Sequence, residues 1–147
     1  VEAGIPVCGH IGLTPQTTSM MGGFKVQGKS LEAAQELLDS ARAVEEAGAF
    51  MVVLEGIPKM LADVITQKIN IPTMGIGAGA GCDMQVLVAQ DMLGMNEWVP
   101  KFAKKFADLH KIIIDAYNEF AKESNERTFP DEATQYNAKI EGIENLK

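Results

Sequence analysis

The sequence predicts an α/β fold built on a parallel sheet, and three observations carry that prediction. Short apolar runs alternate with segments of helical period, in the order strand, helix, strand, helix, strand, loop, strand. The clearest run, Phe50-Met51-Val52-Val53-Leu54, holds no polar residue, as in a strand buried on both faces beneath helices. It ends in a carboxylate, Glu55, followed by Gly56 and Pro58. Loops at the C-terminal ends of parallel strands converge on sites, so Glu55 reads either as a site carboxylate or as a hydrated residue on the sheet rim.

Each element has its own local reason. Gly4-Ile5-Pro6-Val7-Cys8-Gly9-His10 reads as a strand ending at His10. A loop of about 17 residues, Gly12 to Gly28, follows; it contains Thr14-Pro15-Gln16 and Gly22-Gly23, and loops of that length tend to be functional or disordered. Ser30 is placed to cap a helix on which Leu31, Ala34, Leu37, Leu38, Ala41, Val44 and Ala47 recur until Gly48. After the Glu55 strand, Pro58 opens a second helix with Met60, Leu61, Val64 and Ile65 on one face. Asn70-Ile71-Pro72 resets the chain into a third strand, Thr73 to Ile76, which runs into Gly77-Ala78-Gly79.

Met84 to Ala89 reads as a fourth strand, with Asp91 just past its end. The longest periodic segment, Pro100 to about Lys122, predicts a helix striped by Phe102, Phe106, Leu109, Ile113, Tyr117 and Phe120, a core or interface face. Residues 124–147 read as a polar surface tail with a short helix near Ile140, leaving 1–123 as the folded unit. Four strands are half of an eight-stranded barrel or a small open, doubly wound sheet, and composition does not choose between the two.

The totals bound the partners. With 20 acidic and 13 basic residues the formal charge is −7, which excludes the basic footprint of a nucleic-acid binder. No apolar run approaches the roughly 20 residues of a membrane span. Two cysteines far apart, Cys8 and Cys82, read as free thiols of a reducing cytosol. The chain begins at Val1 rather than Met, within what reads as an element, as a fragment or processed chain would.

Few residues are candidates for chemistry. His10 and Glu55 stand on one sheet edge, where one could donate a hydrogen bond to a substrate and the other take its proton. Gly75 to Ala80 fits G-x-G-x-x-A, but no helical pattern follows Ala80, so the glycines read as close-approach positions rather than a dinucleotide fingerprint. Lys25 and Lys29 read as solvated loop lysines that could attract an anion. Asp83 and Asp91 are possible ligands of a divalent ion without the rest of an oxygen shell. The methionines, Met20-Met21 included, read as core gap-fillers.

Taken together, GIPVCGHIGLTPQ, GGFKVQGK, EEAGAFMVVLEGIP, IPTMGIGAGAGCDMQVLV, DMLG and PKFAKKFADL resemble the ketopantoate hydroxymethyltransferase family, in that order, from Gly4 to about Pro130. The resemblance implies a (β/α)8 TIM barrel of the phosphoenolpyruvate mutase and isocitrate lyase type, with this chain covering strands five to eight. It also implies a cytoplasmic, homo-oligomeric enzyme of pantothenate synthesis, decameric in bacteria. Such enzymes transfer a hydroxymethyl group from 5,10-methylenetetrahydrofolate to 3-methyl-2-oxobutanoate with Mg²⁺.

By that resemblance Glu55 is the proton acceptor for the oxoacid's C3 proton, and His10 lies beside the oxoacid in the substrate pocket. A carboxylate at a water-poor barrel mouth suits a base near neutral pH, and a metal-stabilised enolate lets a modest base suffice. The family's Mg²⁺-binding aspartates, a serine and a substrate lysine belong to the first four strands, so no metal ligand is expected in this chain and the N-terminal half is expected as a companion. Gln90 stands where the family has His, Met84 where it has Gly, and the family's acidic late segment is Pro130-Asp131-Glu132-Ala133-Thr134. Two other readings are a non-catalytic half-barrel assembly unit and a related carbon–carbon lyase. A lone half-barrel would expose too much apolar surface to stay monomeric.

Overall fold

The computed structural model describes residues 1–17, 19–20 and 23–146. Four parallel strands form one sheet in sequence order: β1 (Cys8–Gly12), β2 (Met51–Glu55), β3 (Thr73–Ile76) and β4 (Met84–Gln85). Two long crossover helices, α1 (Leu31–Glu46) and α2 (Lys59–Lys68), join the first three strands. A short α3 (Ala89–Met92) and a long α4 (Leu109–Glu126) follow, with 3₁₀ turns at Pro15–Thr17 and Ile143–Asn145.

Local signals fix the helix ends. Ser30 caps α1, its side chain accepting the Ala33 N–H at 3.1 Å. Gly48, at φ +85°, ends it in a conformation that suits glycine. The carbonyl of Pro58 accepts the N–H groups of Leu61 and Ala62 at the start of α2. Both helices lie over the same face of the sheet. Leu38 and Ala41 of α1 and Ala62 and Ile65 of α2 share one core with Ile11 of β1 and Val52 and Leu54 of β2. Burial of each of the larger of these side chains contributes about 1.5–3 kcal/mol.

Among the described residues no helix covers the sheet's other face. In β2 the burial alternates: Val52 and Leu54 are fully buried, while Met51, Val53 and Glu55 are half-buried. The five-residue apolar run is therefore covered on one face only, and Phe50 precedes the strand and is exposed. Strand registry aligns His10, Val53, Met74 and Met84 in one row across this open face, with Gly12, Glu55 and Ile76 in the next row toward the C-terminal ends.

Several expectations need correction. β1 continues two residues past His10, which sits mid-strand, because Ile11 and Gly12 pair with Leu54 and Glu55. β4 covers only Met84–Gln85 instead of Met84 to Ala89; it is an edge strand with a partner on one side, and α3 begins at Ala89. α4 starts at Leu109 and not at Pro100, because the preceding backbone is tied elsewhere. The N–H groups of Phe106, Leu109 and His110 donate to the carbonyls of Met92, Leu93 and Gly94.

Phe102 and Phe106 thus lie outside the helix, and no residue of α4 is buried, so its stripe is no core face within this chain. The helix also runs to Glu126, past the expected tail boundary at 124, and the expected turn near Ile140 falls at Ile143–Asn145. No described methionine is in the core: Met20 and Met60 are exposed, and Met21 lies outside the described residues, as does Gly22.

Candidate active site

The C-terminal ends of β1, β2 and β3 are stitched together by backbone bonds that fix Glu55. Leu13 donates its N–H to the Glu55 carbonyl at 2.8 Å, and Gly56 donates to the Ile76 carbonyl at 2.9 Å. Gly12, at φ +91°, permits that approach; a Cβ there would lie 2.3 Å from the Glu55 carbonyl oxygen. The long loop returns to the same place, where Gln27 donates its N–H to the Gly56 carbonyl at 2.9 Å.

On the open face His10 reaches Glu55 from the row below, with Nε2 3.0 Å from Oε2. The Glu55 side chain is 13% exposed and that of His10 30%, so the pair is shielded from bulk water yet reachable. With its Nε2–H donating, the imidazole holds the carboxylate in one orientation and leaves the other oxygen free to meet a substrate. A carboxylate so held, at the open ends of parallel strands, is equipped to accept a proton from a bound molecule.

The other candidates do not join this pair. Asp83 stands at the far end of β3. Its carboxylate accepts the Thr73 N–H at 2.8 Å and the Thr73 hydroxyl at 3.0 Å, and these bonds hold its pKa below the usual aspartate range. Those bonds clamp Asp83 to the start of β3. Asp91 in α3 accepts from Asn96 Nδ2 at 3.2 Å. Lys25 and Lys29 are exposed, and Lys29 lines a groove between α1 and α2 on the helix side. Cys8 and Cys82 are free thiols, and burial pushes the pKa of Cys82 up.

The glycines of the G-x-G-x-x-A stretch serve packing. A Cβ at Gly77 would lie 2.9 Å from the Phe102 ring and one at Gly79 2.6 Å from the Lys59 side chain. After Ala80 the chain turns into β4, with no helix to receive a phosphate. Beside these glycines an open groove of ≈ 600 Å³ is lined by Gly56, Gly77, Gln85, Lys101 and Phe102, among others. The sequence reading missed Gln85 and Lys101.

A family model described as ketopantoate hydroxymethyltransferase matches residues 1–132. This chain belongs to that family. The 3-methyl-2-oxobutanoate hydroxymethyltransferase of Clostridium acetobutylicum is 54% identical over 137 residues, covering 92% of this chain and 50% of that protein. Those of Clostridium novyi and Carboxydothermus hydrogenoformans are 57% identical over 131 residues and 51% over 147, covering 88% and 99% of this chain.

The chain spans about half the length of the curated relatives it matches. The relatives are named as hydroxymethyltransferases, which are enzymes. The sequential parallel sheet is consistent with a barrel family. Among the described residues no helix is long and apolar enough to cross a membrane.

Proposed function

We propose that this chain is the base-bearing half of a hydroxymethyltransferase that moves a one-carbon unit from 5,10-methylenetetrahydrofolate to 3-methyl-2-oxobutanoate, giving 2-dehydropantoate. The observation that carries the reading is the His10–Glu55 pair at the C-terminal mouth of a parallel sheet, in a chain of this family. Glu55 accepts the C3 proton of the oxoacid. The carbon left with the electron pair forms the new bond to the donor's methylene carbon. Both bonds from that methylene carbon to the folate nitrogens break, and water supplies the hydroxyl. The proton from C3 and one from water end on the two nitrogens, so that 2-dehydropantoate and tetrahydrofolate leave. His10, already on the carboxylate, is a positioning residue for the base and lies on the face where the oxoacid would bind.

The remaining half of the barrel completes this site. Met51, Val53 and Met74 are half-buried, and a closed (β/α)8 barrel would cover them with the strands that this chain does not contain. We therefore assign the companion role to the N-terminal half, in a cytoplasmic homo-oligomer. Mg²⁺ does not fit the residues of this chain alone: among the described residues no three His, Cys, Asp or Glu side chains stand together to hold an ion. Its ligands would come from the companion half, and no step described for Glu55 or His10 runs through it.

The test is hydrogen–deuterium exchange at C3 of 3-methyl-2-oxobutanoate, followed by NMR without any folate. The chain is combined with Mg²⁺ and the half of the C. acetobutylicum relative that it does not span. Exchange that needs both chains and is lost in Glu55→Gln supports the reading. His10→Ala should slow exchange about tenfold, with partial recovery in His10→Gln. Exchange at full rate in Glu55→Gln would remove Glu55 as the base, and a silent wild-type pair would favour a non-catalytic assembly unit.

A further inference from the structure

Two apolar features lie apart from Glu55 and match one another. The first is the groove between α1 and α2, on the helix side of the sheet, with a volume of ≈ 490 Å³. Leu38 and Leu61 belong to the packed core beneath it, while Leu31 is 89% exposed and Met60 80%. Both walls are helices of this chain, so strands joined to either edge of the sheet would leave the groove open on the outer side. Exposed aliphatic side chains gathered around one groove mark a surface that buries itself against something.

The second feature is the segment 136–146, beyond the part of the chain that the family model matches. Ile140, Ile143 and Leu146 recur every three residues, the period of the 3₁₀ turn at Ile143–Asn145, and each is more than half exposed. Among the described residues the segment hydrogen-bonds only within itself, through Ile140, Gly142, Ile143 and Glu144 as acceptors. The groove of the same chain is lined from Gly28 to Val64 only, so the segment does not fill it in cis.

Charge and polarity select the occupant. Among the described residues that line the groove there is no aromatic ring, and Lys29 is the one ionisable side chain. Its polar side chains are committed: Ser30 caps α1, and Gln35 Nε2 donates to Asp39 Oδ1 at 2.9 Å. That leaves little for a small polar ligand to bond. Both helices begin at the groove, at Leu31 and Lys59, so their positive ends add to Lys29. In the segment Glu141 and Glu144 each follow one of the isoleucines, against a single base, Lys139. An aliphatic row with acids beside it complements an aliphatic groove with a positive end.

We propose that residues 136–146 of one copy of this chain dock in the α1–α2 groove of a second copy, with Ile140, Ile143 and Leu146 against Leu31, Met60 and Val64 and Glu144 beside Lys29. Two copies exchanging these segments would close as a two-fold pair. Neither Glu55 nor His10 enters the contact, so it stands or falls apart from the hydroxymethyltransferase reading.

The test mixes two full-length variants. Leu31→Glu spoils the groove and keeps the segment, and Ile143→Glu spoils the segment and keeps the groove. Both positions are exposed, and an acid in the first turn suits the start of α1, so both chains should fold. The Leu31→Glu chain, dye-labelled at the exposed Cys8 thiol, is titrated by fluorescence anisotropy. The Ile143→Glu chain should bind it about tenfold more tightly than a chain carrying both substitutions, which reports association through every other face. Adding Lys29→Glu to the Ile143→Glu chain should weaken binding, and Glu144→Lys in the labelled chain should restore it. Equal binding by the two titrants would overturn the proposal, whether the segment docks on its own chain or nowhere. Restoration that fails would overturn the pairing of Glu144 with Lys29.

Discussion

On the helix-covered face of the sheet Val52, Leu54 and Thr73 are fully buried, whereas on the opposite face Met51, Val53 and Met74 stay half-buried around His10 and Glu55. The two faces alternate residue by residue along the same short strands, so neighbours in sequence do different work. Side chains under α1 and α2 hold the sheet; those on the open face carry the candidate site and, under the proposed function, would meet the oxoacid and the companion half. A substitution on one face should therefore move stability and leave chemistry, and one on the other should do the reverse.

The sharpest break of that contrast is at Glu55 and Leu54, adjacent residues on opposite faces. Glu55→Gln keeps the side-chain shape and should lower C3 exchange about a thousandfold, with the thermal midpoint nearly unchanged. Leu54→Ala should cost about 3 kcal/mol in urea unfolding, because it empties space among Leu38, Ala62 and Ile65 in the shared core. If Glu55→Gln unfolded the chain, or Leu54→Ala left its stability intact, the division between the faces would be wrong.

Gly12 tests whether the faces are coupled at the strand ends. Alanine there would meet the Glu55 carbonyl oxygen and adopt an unfavourable positive φ, so Gly12→Ala should cost about 2 kcal/mol and also slow exchange by displacing the base. A loss of stability without any change in exchange would show that the Leu13–Glu55 bond does not set the position of the carboxylate.

The smallest effect belongs to Asp83, at the opposite end of β3 from the base. Its pKa is lowered in the folded chain by the Thr73 N–H and then by the Thr73 hydroxyl, so across the acid range the unfolded chain binds more protons and stability rises with pH. The contribution is complete above the ordinary aspartate value, near pH 4, and is lost as pH falls through the lower folded value. Asp83→Ala should accordingly melt slightly earlier than wild type at pH 7, with the two curves converging in strong acid and exchange unaffected. A gap independent of pH would show that Asp83 acts by packing instead of by charge.

Much of the architecture was legible because local chemistry agreed with the final fold. Ser30, Gly48 and Pro58 punctuate their helices where the spacing placed the ends, and Thr73–Ile76 is the expected third strand. The readings that failed did so where tertiary bonds overrode periodicity. Pairing with β2 carried β1 past His10, β4 keeps only the two residues that pair with Met74 and Gly75, and the bonds of Phe106, Leu109 and His110 to Met92, Leu93 and Gly94 start the helix at Leu109 instead of Pro100. Apolar content alone also placed methionines in a core where none of the described ones lies, because spacing records hydrophobicity and not what covers it.

By itself the sequence determined the alternation of strands and helices, the family and the identity of the carboxylate at the end of β2, since propensity, capping and motif wording are local properties. Only the tertiary structure decided that both crossover helices share one face and that a mid-strand histidine meets Glu55 at 3.0 Å. Register and packing bring residues 45 positions apart into contact, and no pattern within either segment encodes that distance.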